Sequence, residues 1–167
     1  MMVVLLLIVV CCYFSVHQKI EKILIFMILK VKKLHNNAQL PFYATRGSAG
    51  MDLTCVSAEW DREHNVIKYG TGLAFEIPQG YGGFLFPRSS VCKKTLDMAN
   101  CVGVIDSDYR GEVSAVFRIT NPADEKVYAI GERCCQIVIL PVAICEIVEG
   151  DLSETARGAS GYGSTGK

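Results

Sequence analysis

The chain has 167 residues, half of them apolar, and its 17 basic and 17 acidic side chains cancel to a formal net charge of zero. That length gives room for one domain with a proper core, and no internal repeat or long linker points to a second. The balanced charge excludes the electrostatic footprint of a protein that coats nucleic acid, so any anionic ligand must be met by a few placed groups.

The first stretch, MMVVLLLIVVCCYF, is uncharged from Met1 to Phe14; polar HQKIEK follows, then a second apolar run from Ile23 to Leu29. The first run is shorter than the ~20 residues that span a bilayer and lacks the basic start of a secretory signal. Two readings stay open. Residues 1–26 are a weak membrane anchor, or the working protein begins at Met27 with MILKVKKL as its first strand. Membrane association is expected only if residues 1–26 are retained.

From Met27 onward, short apolar or alternating runs are broken by Gly, Pro, Asn and Asp, which is strand punctuation. The runs cover 28–34, 50–56, 66–77, 81–86, 99–105, 112–120 and 126–148, with one short helix expected near SSVCKKT. Alternation is clearest in EVSAVFRI, which puts Val113, Ala115, Phe117 and Ile119 on one face. The segment NCVGVIDSDYRGEVSAVF reads as a hairpin whose turn is DSDYRG. These elements predict an all-β domain, a sandwich, jelly roll or barrel, over 27–150, followed by a glycine-rich tail over 151–167.

The eight cysteines include two adjacent pairs, Cys11–Cys12 and Cys134–Cys135, and offer neither CxxC spacing nor a Cys/His cluster. They are expected to be mostly small buried apolar residues in a reducing compartment, cytoplasmic or nuclear. His17, His35 and His64 show no partner pattern and are read as surface or structural residues.

Five stretches hold groups suited to chemistry, and each alone has an ordinary structural reading. Asp106, Ser107, Asp108 and Gly111 are common turn formers. PRSS (87–90) suits a strand end with a helix cap, SAGMDL (48–53) a loop entering a strand, and GERCCQ (131–136) a turn before a buried strand. The final RGASGYGSTGK is glycine-rich enough to be a frayed end.

Taken together and in order, SAGMDL, PRSS, NCVGVIDSDYRGEV, GERCCQ and RGASGYGSTG resemble the five motifs of the trimeric deoxyuridine triphosphatases, over about Ile28 to Lys167. The resemblance implies a β jelly roll that forms a homotrimer, with active sites shared between subunits and a C-terminal arm closing over them. It implies hydrolysis of dUTP to dUMP and pyrophosphate with Mg²⁺, which limits uracil in DNA and supplies dUMP for thymidylate synthesis. Asp106 then matches the carboxylate that orients and deprotonates the attacking water, and an aspartate ionised at neutral pH can accept that proton. Asn100 and Gly103 match the uracil-reading hairpin, Tyr109 the ring under the deoxyribose, and Tyr162 the aromatic that covers the base. Arg88, Ser89, Ser90, Gln136, Arg157, Gly163, Ser164 and Thr165 match phosphate contacts. Asp52 matches the acidic residue that holds the metal's waters from outside its coordination sphere, Mg²⁺ itself being bound mainly through the triphosphate.

The match has departures. Ser160 stands where glycine is common, Tyr162 where phenylalanine is, Ser90 where glycine is, and Glu132 where aspartate is usual; Cys134 and Cys135 replace small or branched apolar residues. No assigned catalytic position is lost. The alternatives are a dCTP deaminase-like enzyme of the same scaffold, against which the complete glycine-rich tail argues, and a catalytically silent nucleotide-binding homologue.

Overall fold

A computed structural model describes residues 27–161. The readings placed on residues 1–26 and on Tyr162, Gly163, Ser164 and Thr165 therefore lie outside the described residues.

Ten strands follow in chain order: β1 (Lys30–Lys33), β2 (Met51–Thr54), β3 (Ser57–Asp61), β4 (Val66–Gly70), β5 (Leu73–Glu76), β6 (Tyr81–Pro87), β7 (Leu96–Met98), β8 (Gly103–Ile105), β9 (Ser114–Ile119) and β10 (Arg133–Pro141). A 3₁₀ turn, Ser89–Lys93, occupies the place of the expected short helix. The strands form two four-stranded antiparallel sheets, ordered β2-β10-β6-β8 and β3-β4-β9-β7, and a two-stranded β1-β5 ribbon. The predicted all-β architecture is what the chain adopts.

The core lies between the two larger sheets. Leu53, Leu85 and Ile137 from one sheet join Ile67, Tyr69 and Phe117 from the other in a single buried cluster. This is the packing of two sheets whose inner faces each carry every second residue. In β9 and the residue before it, Val113, Ala115, Phe117 and Ile119 are all buried, as the alternation requires, and Arg118 on the opposite face is exposed. Tyr69, Phe117 and Tyr128 pack edge to face with centroids 5.8–5.9 Å apart, a geometry the ring quadrupoles favour.

Three expectations need correction. The segment 100–117 is not a hairpin: β8 pairs with β6, whereas β9 pairs with β4 and β7 in the other sheet. DSDYRG is therefore a crossing between sheets, and turn-forming residues suit a crossing as well as a hairpin. The single run 66–77 bends into β4 and β5, and 126–148 yields strand only over Arg133–Pro141. β3 and β7 were not foreseen, because SAEWD lies half exposed at a sheet edge and LDM is three residues long. The cysteines divide evenly among the described residues: Cys55, Cys134 and Cys135 are buried, while Cys92, Cys101 and Cys145 are exposed, all as free thiols.

Candidate active site

β10 runs between β2 and β6, and its register assembles the polar centre. Gln136 sits opposite Asp52 on one side and Phe86 on the other. Residues directly opposite one another point to the same face. The neighbouring rows, Leu53–Cys135–Pro87 and Met51–Ile137–Leu85, face the core instead. Between Arg133 and Cys135 the register slips by one residue relative to β2. Such a bulge re-aims side chains. Here Cys134 and Cys135 both turn inward, while Arg133 reaches Asp52.

Asp52 is 7% exposed, and both its oxygens are engaged. Arg88 donates Nε–H to Oδ1 at 2.8 Å, and Arg133 donates Nη1–H to Oδ2 at 2.9 Å. Two guanidiniums on one carboxylate leave a local surplus of positive charge in a chain with none overall. Arg88 also donates, at a long 3.4 Å, to Ser90 Oγ and to the Arg133 carbonyl. Gln136 Nε2 donates to the Pro87 carbonyl at 3.0 Å, tying it to the strand that delivers Arg88. Asp52, Arg88, Ser89 and Gln136, with Ser48 and Gly50, line a cavity of about 250 Å³. Stretches distant in sequence, SAGMDL, PRSS and GERCCQ, thus meet at one place.

This donor set suits a phosphate chain: arginine forks and an exposed serine hydroxyl present N–H and O–H groups to anionic oxygens. It does not suit direct ligation of a metal, and among the described residues no cluster of three or more His, Cys, Asp or Glu could hold one. Each Asp52 oxygen keeps an acceptor position beyond its arginine, which fits a carboxylate that holds a metal's water.

Arg133 is the contributor that sequence reasoning missed. It lies inside GERCCQ, and only a bulge that turns it toward Asp52 reveals its role. An arginine at the start of a buried strand was the available signal, but strand alternation alone would have put it on the core face with Cys135 and Ile137.

Asp106 is placed elsewhere. It follows β8, is exposed, and lines a larger open cleft of about 980 Å³ with Tyr81, Phe84, Val104, Asp108 and Ile144. It does not line the Arg88 cavity. Asn100, also exposed, lies in the turn before β8, which Cys101 closes by donating its N–H to the Met98 carbonyl at 3.1 Å. Cys101 has a φ of 59°, a left-handed conformation that costs a non-glycine residue about 1 kcal/mol or more. Gly103 is buried in β8 against Leu85; a Cβ there would come within 3.1 Å of Leu85 Cβ and 3.5 Å of Asn100 Nδ2.

Tyr109 folds back over Gly111, where a Cβ would meet its Oη at 2.3 Å. Its hydroxyl donates to the Glu112 carbonyl at 3.2 Å, and Glu112 Oε1 accepts the Gly72 N–H at 2.7 Å, fixing the end of the turn to the corner between β4 and β5. Arg157 lies in the exposed tail and donates to the Ser160 carbonyl at 3.1 Å, apart from both cavities.

The structure therefore unites Asp52, Arg88, Ser89, Ser90 and Gln136, and leaves Asp106, the Asn100–Tyr109 segment and Arg157 in separate places. The comparisons agree with the motif order. A family model described as dUTPase matches residues 36–166. The chain is 44% identical over 144 residues to a deoxyuridine 5'-triphosphate nucleotidohydrolase of Hydrogenobaculum sp., covering 84% of this chain and 99% of that one. It is 47% identical over 136 residues to the enzyme of that name from Desulfitobacterium hafniense, covering 77% and 87%. Among solved structures, a Staphylococcus bacteriophage 80alpha dUTPase mutant with dUpNHpp superposes with a TM-score of 0.71 at 28% identity, covering 84% of this chain and 99% of that one. With its five ordered stretches, its all-β fold and a match spanning most of its length, the chain belongs to the dUTPase family.

Proposed function

We propose that this chain hydrolyses dUTP to dUMP and pyrophosphate through attack of water on the α-phosphorus. The observation that carries the reading is the donor-rich cavity in which Asp52, Arg88, Ser89 and Gln136 converge, in a chain of the dUTPase family. It offers a polyphosphate forked and hydroxyl donors in a protein without net charge to attract one.

Asp106 orients the attacking water and accepts its proton; no covalent enzyme intermediate is needed. Its exposed position, with room in front for water and a phosphoryl group, is compatible with that task. Asn100 donates to and accepts from uracil beside Gly103, and the ring of Tyr109 packs against the deoxyribose, where a 2′-hydroxyl would find neither room nor partner. Arg88, Ser89, Ser90 and Gln136 hold the phosphates, and Arg157, Gly163, Ser164 and Thr165 close on them from the tail while Tyr162 covers the base. Asp52 would hold a water of a Mg²⁺ ion bound mainly through the triphosphate, and that ion would supply positive charge to offset the phosphate oxygens.

The separation of Asp106 and Arg157 from the Arg88 cavity supports a homotrimer whose sites are shared between subunits. The exposed apolar side chains Ile28, Val104, Ile144, Ile147 and Val148 supply surface that such an assembly would cover. The free thiols suit a reducing compartment, cytoplasmic or nuclear. Among the described residues, no helix is long and apolar enough to cross a membrane.

The test is a pyrophosphate-release assay across dUTP, dCTP, dTTP and UTP, with and without Mg²⁺. Release confined to dUTP and dependent on Mg²⁺ is the expected result. Ammonia from dCTP, or binding of dUTP without turnover, overturns it.

A further inference from the structure

The amide of Gln136 is held in one orientation by groups from the two strands beside it, and one of those groups is a glycine. The register that sets Ile137 opposite Met51 carries Gly50, just before β2, alongside Val138. Gln136 lies two residues back along β10 and so on the same face. A Cβ at Gly50 would come within 2.8 Å of Gln136 Oε1 and 3.4 Å of both Gln136 Cδ and Val138 Cγ2. The amide oxygen therefore rests against bare backbone. On its other side, Nε2 donates to the Pro87 carbonyl at 3.0 Å.

A carbonyl only accepts, so the nitrogen has to face Pro87 and the oxygen has to face Gly50. Turning the amide over would set its oxygen against the Pro87 oxygen. A primary amide carries two N–H donors, and the Pro87 carbonyl takes one. The second is left for an anionic oxygen in the cavity that Gly50 and Gln136 both line. The backbone itself does not call for glycine here, since the φ of Gly50 is not left-handed. What glycine provides is space, and the nearest atoms an added methyl would meet are all side-chain atoms, with the Gln136 amide first among them.

We propose that Gly50 is a positioning residue for the phosphate site: the space left by its missing side chain seats the Gln136 amide, so that one N–H is tied to Pro87 and the other is kept for a phosphate oxygen. Gly50 acts through Gln136. A methyl at position 50 pushes the amide off the Pro87 carbonyl, which spoils the donor and also unties β10 from the residue that precedes Arg88. The apolar rows behind, Met51–Ile137–Leu85 and Leu53–Cys135–Pro87, are on the other face. The inference rests on the reading of Gln136 as a phosphate contact.

The test uses the full-length enzyme, with dUTP for kinetics and its imido analogue with Mg²⁺ for binding. Gly50→Ala should raise KM for dUTP and Kd for the analogue about 5–30-fold, the loss of one hydrogen bond to a charged group, with kcat within about twofold. Gln136→Ala should raise both constants by a similar factor. In the double variant the amide that the methyl would displace is gone, so binding should be no weaker than in Gln136→Ala alone. A merely structural loss at position 50 would add to the effect of Gln136→Ala instead. A double variant markedly weaker than Gln136→Ala therefore overturns the inference, because the methyl would then act by some route other than the amide. If Gly50→Ala folds poorly, recovery of folding in the double variant shows the same competition for space, and poor folding in both overturns it. Gln136→Ala separates the two levels. A raised KM there with an unchanged KM in Gly50→Ala defeats the positioning role alone; an unchanged KM in Gln136→Ala defeats the phosphate-contact reading and the inference with it.

Discussion

The Arg88 cavity and the turn that carries Asp106 are built on opposite plans. In the first, side chains from β2, β6 and β10 are locked to one another: two arginines on Asp52, and Gln136 on the Pro87 carbonyl. In the second, the Tyr109 and Arg110 side chains bond locally, to the Glu112 and Ser107 carbonyls, and the loop is tied to the rest of the fold through Glu112, which accepts the Gly72 N–H. A cavity meant to receive highly charged oxygens gains from preorganisation, because donors already aimed need no reordering on binding. On the proposed function, the carboxylate must meet water and a phosphorus atom, so it is useful only where a ligand can be brought to it. The phosphate-binding half of the proposed site would then be built within a single chain and the base presented outward.

The sharpest way to break that picture is to remove the base. Asp106→Asn should cut turnover about 10²–10⁴-fold with little change in KM, measured by steady-state pyrophosphate release. Near-normal turnover would remove Asp106 from the mechanism. Mixing denatured Asp106→Asn and Arg88→Gln chains in equal amounts and refolding them then tests the sharing of sites. If each site takes Arg88 and Asp106 from different subunits, about a quarter of sites regain both. Activity no higher than the sum of the two variants would place both residues in one chain's site.

Next in size is Asp52→Asn, which leaves two guanidiniums without their buried carboxylate. A loss of about 1–3 kcal/mol is expected in denaturant unfolding, with a raised KM as Arg88 loses its anchor. Gly111→Ala should be felt mostly in specificity. Its new methyl would displace the Tyr109 ring, so the preference for dUTP over UTP should fall while unfolding stability stays within about 1 kcal/mol. Loss of stability with unchanged preference would sever Tyr109 from sugar selection.

The smallest effect lies at the entry to β10. The Ala129 N–H and then the Lys94 ammonium hold the Glu132 carboxyl below the usual glutamate range. A lowered folded pKa gives stability that is present above the unfolded value and is lost as the pH falls through the folded one. Glu132→Gln should therefore flatten the acid side of the stability profile slightly and leave it unchanged near neutrality. An unchanged acid limb would show that the contact is too exposed to matter.

Much of this was legible in the sequence. Strict alternation from Glu112 to Ile119 identified the buried face of β9, because a pleated strand fixes side-chain direction to period two regardless of its partners. Gly, Pro and Asp broke the chain into strands, since backbone sterics act locally. The five ordered stretches named the family, and with it the residues to watch, because each chemical role demands particular groups.

Partner choice and register had to come from the tertiary structure. DSDYRG permits a hairpin or a crossing, and only the competition among strands for two sheets sent β8 to β6 and β9 to β4 and β7. The bulge before Cys135 is invisible in GERCCQ, yet it aims Arg133 at Asp52. Local preference determined what each segment could be. Which segments met, and therefore where charge gathered, was decided by burying one apolar core between two sheets at once.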